Sequence, residues 1–420
     1  LSLRITSSYT LNVMTDLDAA PTWNPFDEEF VINPYPTYAR LRKEDPIHRT
    51  ANGLLLVSRY NDAFQVLRDP TTSMQGRRDA STLPEHMQPL AERNQGRGPS
   101  LLGLDPPDHT RLRGLVQRTF TPRSISRMRE QTTTIVNELL DELTEVQEID
   151  LMSEYAFVIP FAVIHQMLGL PDTDMTMVRE WSQALSKTLE PFLTPEEVAD
   201  AVSGGVHMDQ YLGDAIAHKR KHPQDDLLTA LIEAEEEEDR LSEDELRSMT
   251  GLLFIAGHET TVNLIGNGTH ALLNNPDQLQ VIREDESVDG TMVDELLRYD
   301  SPVQNSGRTL TQETIVGGVE VAAGETILTS LGSANHDEIF WGPTAGELDV
   351  KRKDASRHLS FGNGIHHCLG AALARMEGEI AVASLVRRFP DLDFNGEPTY
   401  NGRVILRGRE TFPINLGSPA

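Results

Sequence analysis

Between residues 241 and 276 the chain reads "LSEDELRSMTGLLFIAGHETTVNLIGNGTHALLNNP". Ser242 followed three residues on by Glu245 forms a capping box, in which each side chain satisfies a backbone N–H that the first helical turn leaves unpaired. Asn274-Asn275-Pro276 supplies the stop, because proline cannot continue a helix. The ~30 residues between make one helix roughly 45 Å long at ~1.5 Å per residue, enough to cross a molecule of this size. Its middle is apolar on every side, so other elements must surround it. The rest of the fold is expected to be built around this rod.

The remaining pattern is mainly α with a minor β portion. Thr121 is a candidate N-cap with Pro122 at the first helical position, and Ile125, Met128, Ile135, Leu139 and Leu143 then share one face. Residues 157–170, "FVIPFAVIHQMLGL", are too few for a membrane span of ~20 residues and carry Pro160 and His165, so they read as a buried helix. Another helix is expected from about Leu369 to Arg388, ending at Phe389-Pro390. Residues 308–331 change to short β runs with Gly317-Gly318 and Ala323-Gly324 as turns. Residues 74–102 show no periodicity and read as a long loop of the kind that carries function. The acidic run 233–239 reads as an exposed loop or frayed helix end. No repeat is visible. Residues 1–23 are expected to form an N-terminal extension, with residues 1–13 preceding a candidate native start at Met14. Residues 24–420 are expected to form a single domain.

A formal net charge of −28 excludes nucleic acid as a partner, since phosphates need a basic surface. The chain has one cysteine, so no internal disulfide can form, and nothing resembles a secretion signal. A cytoplasmic protein with no membrane contact is expected.

That cysteine, Cys368, lies in "FGNGIHHCLGAALAR". A nucleophilic thiol needs a positioned base, and sequence neighbours such as His366 or His367 rarely give that geometry. Structural zinc needs about four ligands, usually several of them thiolates. Axial ligation of haem iron needs one thiolate. A thiol of pKa ~8.5 is a few per cent ionised at neutral pH, so the anion must be stabilised, by ferric iron and by amide N–H groups at a helix start. Gly362, Gly364 and Gly370 would let the backbone approach a flat macrocycle. A merely buried cysteine is the plainer alternative, but it leaves the glycine spacing unexplained.

In these residues the chain resembles the cytochrome P450 superfamily of haem-thiolate monooxygenases. The family's loop has phenylalanine, glycine three residues on, arginine or histidine two before the cysteine and glycine two after it. Phe361, Gly364, His366, Cys368 and Gly370 occupy those positions. Ala256-Gly257-His258-Glu259-Thr260-Thr261 is similar to the family's oxygen-side signature, which implies Ala256 against the cofactor and Glu259 and Thr260 as the catalytic pair that guides protons. Glu295-Leu296-Leu297-Arg298 resembles the Glu-x-x-Arg helix, braced by the arginine of Asp349-Val350-Lys351-Arg352. Leu348 there replaces the usual aromatic. Residues 105–113 resemble the helix that reaches the haem propionates. His109 and Arg113, four apart, share its face, with Arg308 and His366 as further propionate partners.

The resemblance implies the P450 fold, with the long central helix crossing the haem pocket, haem b (iron protoporphyrin IX) as cofactor and Cys368 as the metal ligand. It implies a soluble monomer that uses O2 to insert one oxygen atom into a C–H or C=C bond of a small apolar substrate, as in hydroxylation. Electrons would come from a ferredoxin-type donor and its reductase. Arg111, Arg118, Lys351 and Lys353 are candidates for a basic docking patch. The expected substrate walls are residues 74–102, residues 185–202, Leu253, Ala256, Gly257, residues 303–306 and the tail near Leu406. A peroxide-using peroxygenase and a non-catalytic haem sensor or carrier are the competing readings.

Overall fold

The computed structural model describes residues 21–50, 53–75, 84–94, 97–98, 100–117, 122–171, 175–236 and 241–420. The central helix runs Glu243–Leu273. Its capping box closes as expected: Glu245 N donates to Ser242 Oγ at 3.1 Å, and Ser242 N donates to the Glu245 carboxylate at 2.8 Å. The helices Val158–Leu168, Met175–Ser186, Pro195–Lys221, Asp289–Tyr299 and Ala371–Arg388 pack against it. Together they enclose one large apolar cluster.

The helix Pro122–Glu142 buries Val136 and Leu140 on its apolar stripe. Thr121 itself lies outside the described residues. Val158–Leu168 follows a π-helical turn, Met152–Ala156, and closes on Gly169 at φ +62°. The helix after the cysteine begins at Ala371, two residues later than its periodicity suggests, because Leu369 and Gly370 form a turn.

The β portion is centred on a five-stranded sheet in the order Ile47–Arg49, Leu55–Val57, Thr326–Ser330, Asn305–Leu310, Thr72–Ser73. Leu55–Val57 runs parallel to Thr326–Ser330, and the other pairs are antiparallel. The two expected turns have left-handed glycines at 317, 318 and 324, with φ +56°, +86° and +86°.

Three expectations need correction or relocation. Residues 74–102 are not loop throughout: a 3-10 turn, Glu85–Met87, leads into the helix Gln88–Asn94. That helix buries Leu90 against Leu193, Val198 and Ala201. It has too few apolar positions to show a period, and residues 76–83, 95, 96 and 99 lie outside the described residues. The helix Leu227–Glu236 takes in the start of the acidic run, whose residues 237–239 are also outside. Trp23, expected in the extension, packs edge-to-face on Phe30 at 6.4 Å and joins a buried cluster with Tyr38 and Leu41. Met14 lies outside the described residues. Among the described residues, no helix is long and apolar enough to cross a membrane.

Burial of histidines gives the fold a pH dependence. His336 stacks on Tyr35 at 4.1 Å and bonds the Tyr299 carbonyl through Nε2 at 2.8 Å. Burial pushes its pKa down to about 3, and the same cause takes His270 down to about 4. Both folded values lie below the unfolded ~6.5, so the unfolded chain binds more protons across that window. The contribution of these two histidines is then complete above pH ~6.5 and shrinks as pH falls, with His336 alone costing about 2 kcal/mol by pH ~5. The change in urea midpoint between pH ~7 and ~5 should be less destabilising in His336→Gln than in the parent; the same change in both would contradict the role of His336.

Candidate active site

A cavity of about 290 Å³ lies between the central helix and the cysteine loop. Leu252, Ala256 and Thr260, spaced four apart, line it with Leu253 and Gly257. Ala256 is exposed in the middle of an otherwise buried helix, because this strip faces open space rather than protein.

Cys368 is on the opposite wall. Its N–H donates to the Phe361 carbonyl at 2.9 Å, closing the loop upon itself. Its accessible surface opens into the cavity, although the sulfur is otherwise closely surrounded. Burial pushes the thiol pKa up, while a hydrogen bond from the Gly370 amide and the cations of Arg113 and Arg375 pull it back. Burial wins, so the chain alone holds a neutral thiol and the anion requires a bound cation.

The loop glycines do different jobs from the one expected of all three. Gly364 has φ +71°, and a Cβ there would run into the Leu67 carbonyl and come within 3.2 Å of Arg68 Cα. It is needed for packing against the helix Tyr60–Arg68, and Gly362, at φ +65°, for the turn. Gly370 has no left-handed φ, and a Cβ there would meet no protein atom within 4 Å. The space beside it belongs to the cavity it lines.

A cationic fringe borders the same cavity. His109 sits on the helix Asp108–Gln117, and its ring centroid is 4.3 Å from that of His366. Nε2 of each ring is buried without a hydrogen-bond partner among the described residues. Burial lowers both pKa values, that of His366 to about 4, with His109 and Arg308 adding to the effect on His366. Arg308 is buried on the strand Asn305–Leu310, and burial brings it down to about 10. It donates to Ser306 Oγ at 2.9 Å and the Gly307 carbonyl at 2.7 Å, and Arg113 donates to the His367 carbonyl at 2.6 Å. Among the described residues, no carboxylate lines the cavity. Two orphaned imidazole nitrogens and two guanidinium groups at an apolar slot with one thiol fit a flat apolar ligand that carries a metal and acidic side groups. Haem has those properties.

Opposite the thiol, Thr260 Oγ1 donates to the Ala256 carbonyl at 3.1 Å. Glu259 does not line the cavity. It is one residue and therefore about 100° round the helix from Thr260, and it accepts from Arg403 Nη1 at 2.9 Å. The two residues are adjacent in sequence but face different surroundings. Glu377 was not expected: its carboxyl is buried beside Thr261, Oε2 has no partner among the described residues, and burial raises its pKa well above the usual range. An acid nine positions after the cysteine, flanked by Leu373, Met376, Ile380 and Ala381, was the available signal.

The Glu-x-x-Arg pair forms as its resemblance implies. Arg298 donates from Nε and Nη2 to the two Glu295 oxygens, both at 2.7 Å, and Arg352 Nε reaches the same carboxylate at 3.1 and 3.2 Å. Arg298 also bonds the carbonyls of Asn335, Ala345 and Glu347. Asn335 in turn holds Leu359 N and Ser360 Oγ at the start of the cysteine loop.

Of the expected substrate walls, Met74, Leu101, Leu102, Leu253, Ala256, Gly257, Val303 and Ser306 line the cavity. Residues 185–202 do not; they border a separate solvent cleft of about 990 Å³. Leu406 is buried and bridges Val303 from behind. The expected basic patch is partly neutralised, with Arg111 paired to Glu245 and Lys351 to Asp285 at 3.4 Å. Lys353 is exposed, and Arg118 lies outside the described residues.

The family model described as Cytochrome P450 matches residues 47–399. Cytochrome P450 107B1 of Saccharopolyspora erythraea is 43% identical over 94% of this chain and 97% of its own length. The vitamin D(3) 25-hydroxylase of Pseudonocardia autotrophica is 41% identical over 93% of this chain and 96% of its own. The solved structure of the cytochrome P450 PksS of the Bacillus subtilis bacillaene polyketide synthase covers 94% of this chain and 100% of its own at TM-score 0.84 and 35% identity. A slot for a haem between a buried helix and a cysteine loop, matched along almost its whole length by such relatives, makes the chain a member of the cytochrome P450 family of haem monooxygenases.

Proposed function

We propose that this monooxygenase hydroxylates or epoxidises an apolar small molecule, with electrons from a ferredoxin and its reductase. Bound haem supplies reductive activation of O2, from which one oxygen atom enters the substrate and the other leaves as water. Cys368 would hold its iron through the sulfur, with Phe361 and Gly364 shaping the loop that presents it and Gly370 leaving room beside it. His109, Arg113, Arg308 and His366 would hold the propionates, and Ala256 would leave room for the ring. Thr260 Oγ1 passes protons into the cavity, and Glu259 supplies them from the adjoining face of the helix. The apolar side chains of Leu101, Leu252, Leu253 and Val303 orient substrate and exclude water.

The observation that carries this reading is the opposition of a lone thiol and a helix hydroxyl across a cavity with unpaired imidazoles at its edge. An apolar substrate also suits the relatives, one named for vitamin D(3) hydroxylation and one solved with a hexadecenoic acid-ligated acyl carrier protein. Arg357, Arg375 and His367 border a shallow cleft beside the cysteine loop, and Ile365 is exposed there. Such a face suits an acidic iron–sulfur donor. The reaction takes place in the cytoplasm.

Turnover of apolar candidates with ferredoxin, reductase and reduced nicotinamide should exceed turnover with hydrogen peroxide. The reverse result would make the protein a peroxygenase, and reductant consumption with no oxygenated product would make it a sensor or carrier. Thr260→Ala is expected to keep haem and to lose product by ~10²-fold, the usual worth of a positioned proton donor, while peroxide appears in its place. Tight coupling in that variant would remove Thr260 from the role.

A further inference from the structure

Arg403 stands where three parts of the molecule meet. Its Nη1 donates to Glu259 Oε1 at 2.9 Å on the central helix and to Ser186 Oγ at 3.0 Å at the end of the helix Met175–Ser186. The backbone that follows is held on both sides. The buried Glu190 carboxylate accepts the amides of Val404, Ile405 and Leu406 at 2.7, 2.9 and 3.1 Å. On the far side, Gln304 N donates to the Ile405 carbonyl and Arg407 N to the Pro302 carbonyl, both at 2.8 Å. Pro302 and Val303 are walls of the haem cavity, whereas Arg403 opens on the solvent cleft. The position of the cation that holds Glu259 is therefore set by the turn after Ser186 and by the substrate-side wall.

Both members of the ion pair are 10% exposed, so little solvent screens it, and a carboxylate that left without a replacement partner would be costly to keep charged. While paired, the Glu259 carboxylate lies off the cavity, and to exchange a proton with groups beside Thr260 it must leave Arg403.

We propose that Arg403 is a positioning residue for proton delivery: it keeps Glu259 out of the haem cavity until a substrate pressing on the Pro302–Val303 wall shifts residues 403–407 and opens the pair. The inference deepens the reading of Glu259 and Thr260 as proton carriers and rests on it. It makes reductant consumption conditional on substrate.

The test uses haem-loaded enzyme with ferredoxin, reductase and reduced nicotinamide, first without substrate. Each O2 that takes two electrons and two protons then leaves as H2O2, and that rate is the readout, together with product per nicotinamide and the solvent isotope effect when substrate is added. Arg403→Gln should raise substrate-free peroxide formation about tenfold, with haem content and the carbon monoxide spectrum unchanged. Arg403→Lys, which restores the charge, should return it towards the parent rate. In a Glu259→Gln background the Arg403→Gln change should have no further effect, a dependence that a purely structural arginine would not show. Ser186→Ala should give about a fivefold rise, the worth of one neutral hydrogen bond, and serves if Arg403→Gln does not retain haem. A parent-like peroxide rate in Arg403→Gln or, where that variant fails to load haem, in Ser186→Ala, alongside poor coupling in Glu259→Gln, overturns the role of Arg403 and leaves the relay standing. Parent-like coupling and isotope effect in Glu259→Gln overturn the relay and this inference together.

Discussion

Cys368→Ala should abolish product formation and remove the long-wavelength absorption of the reduced carbon monoxide complex. The argument starts from charge. The folded chain raises the thiol's pKa because burial outweighs the Gly370 amide and the two arginines, so a thiolate exists there only when iron is bound to it. Such a thiolate would supply the iron with more electron density than the neutral imidazoles beside it could. His367 and His366 are one and two residues away, but burial lowers the pKa of both, and a neutral imidazole would not restore the long-wavelength band. The variant should still take up some pigment, because His109, Arg113, Arg308 and His366 remain. The spectrum, not the colour, is therefore the decisive measurement, and a variant that kept the long-wavelength band would remove Cys368 from the metal.

Arg298→Ala should produce the largest loss of stability from a single side chain remote from the cavity surface. Arg298 is fully buried and its loss leaves the Asn335 and Ala345 carbonyls without their donor, and Glu295 and the Glu347 carbonyl with Arg352 as their remaining guanidinium. Breaking a buried ion pair from one side costs about 3–5 kcal/mol, a large share of the ~5–15 kcal/mol that holds a typical domain folded. Arg298→Lys should rescue little, because an ammonium cannot present the planar fork that meets both Glu295 oxygens. The damage should reach haem retention through Asn335, which fastens Leu359 and Ser360 ahead of the cysteine loop. Urea midpoints and haem content of the purified variants check both effects, and a parent-like midpoint in Arg298→Ala would refute the bracing role.

What could be read from the chain was what depends on near neighbours. The central helix is legible to the residue because Ser242, Glu245 and Asn274 act within a turn of its ends, and the β turns because left-handed backbone selects glycine at 317, 318 and 324. The resemblance supplied the Glu295–Arg352 contact: nothing local at Glu295 says that Arg352 will meet it. Contacts between distant segments left no such trace. Glu259 pairs with a residue 144 positions away, and Gly364 is demanded by the Leu67 carbonyl. Residues 185–202 are apolar enough to suggest a pocket wall, yet they line a different cleft because Glu190 ties their turn to residues 404–406.

The groups gathered round the cavity come from positions 109, 113, 260, 308, 366 and 368, so the cofactor's seat is complete only once residues 366–368 have been made. A nascent chain leaving the ribosome must carry its apolar central helix without the Ala371–Arg388 helix that covers it. Cofactor loading must then follow synthesis of the cysteine loop, and a chain interrupted before it would be both unpigmented and a natural client for chaperones.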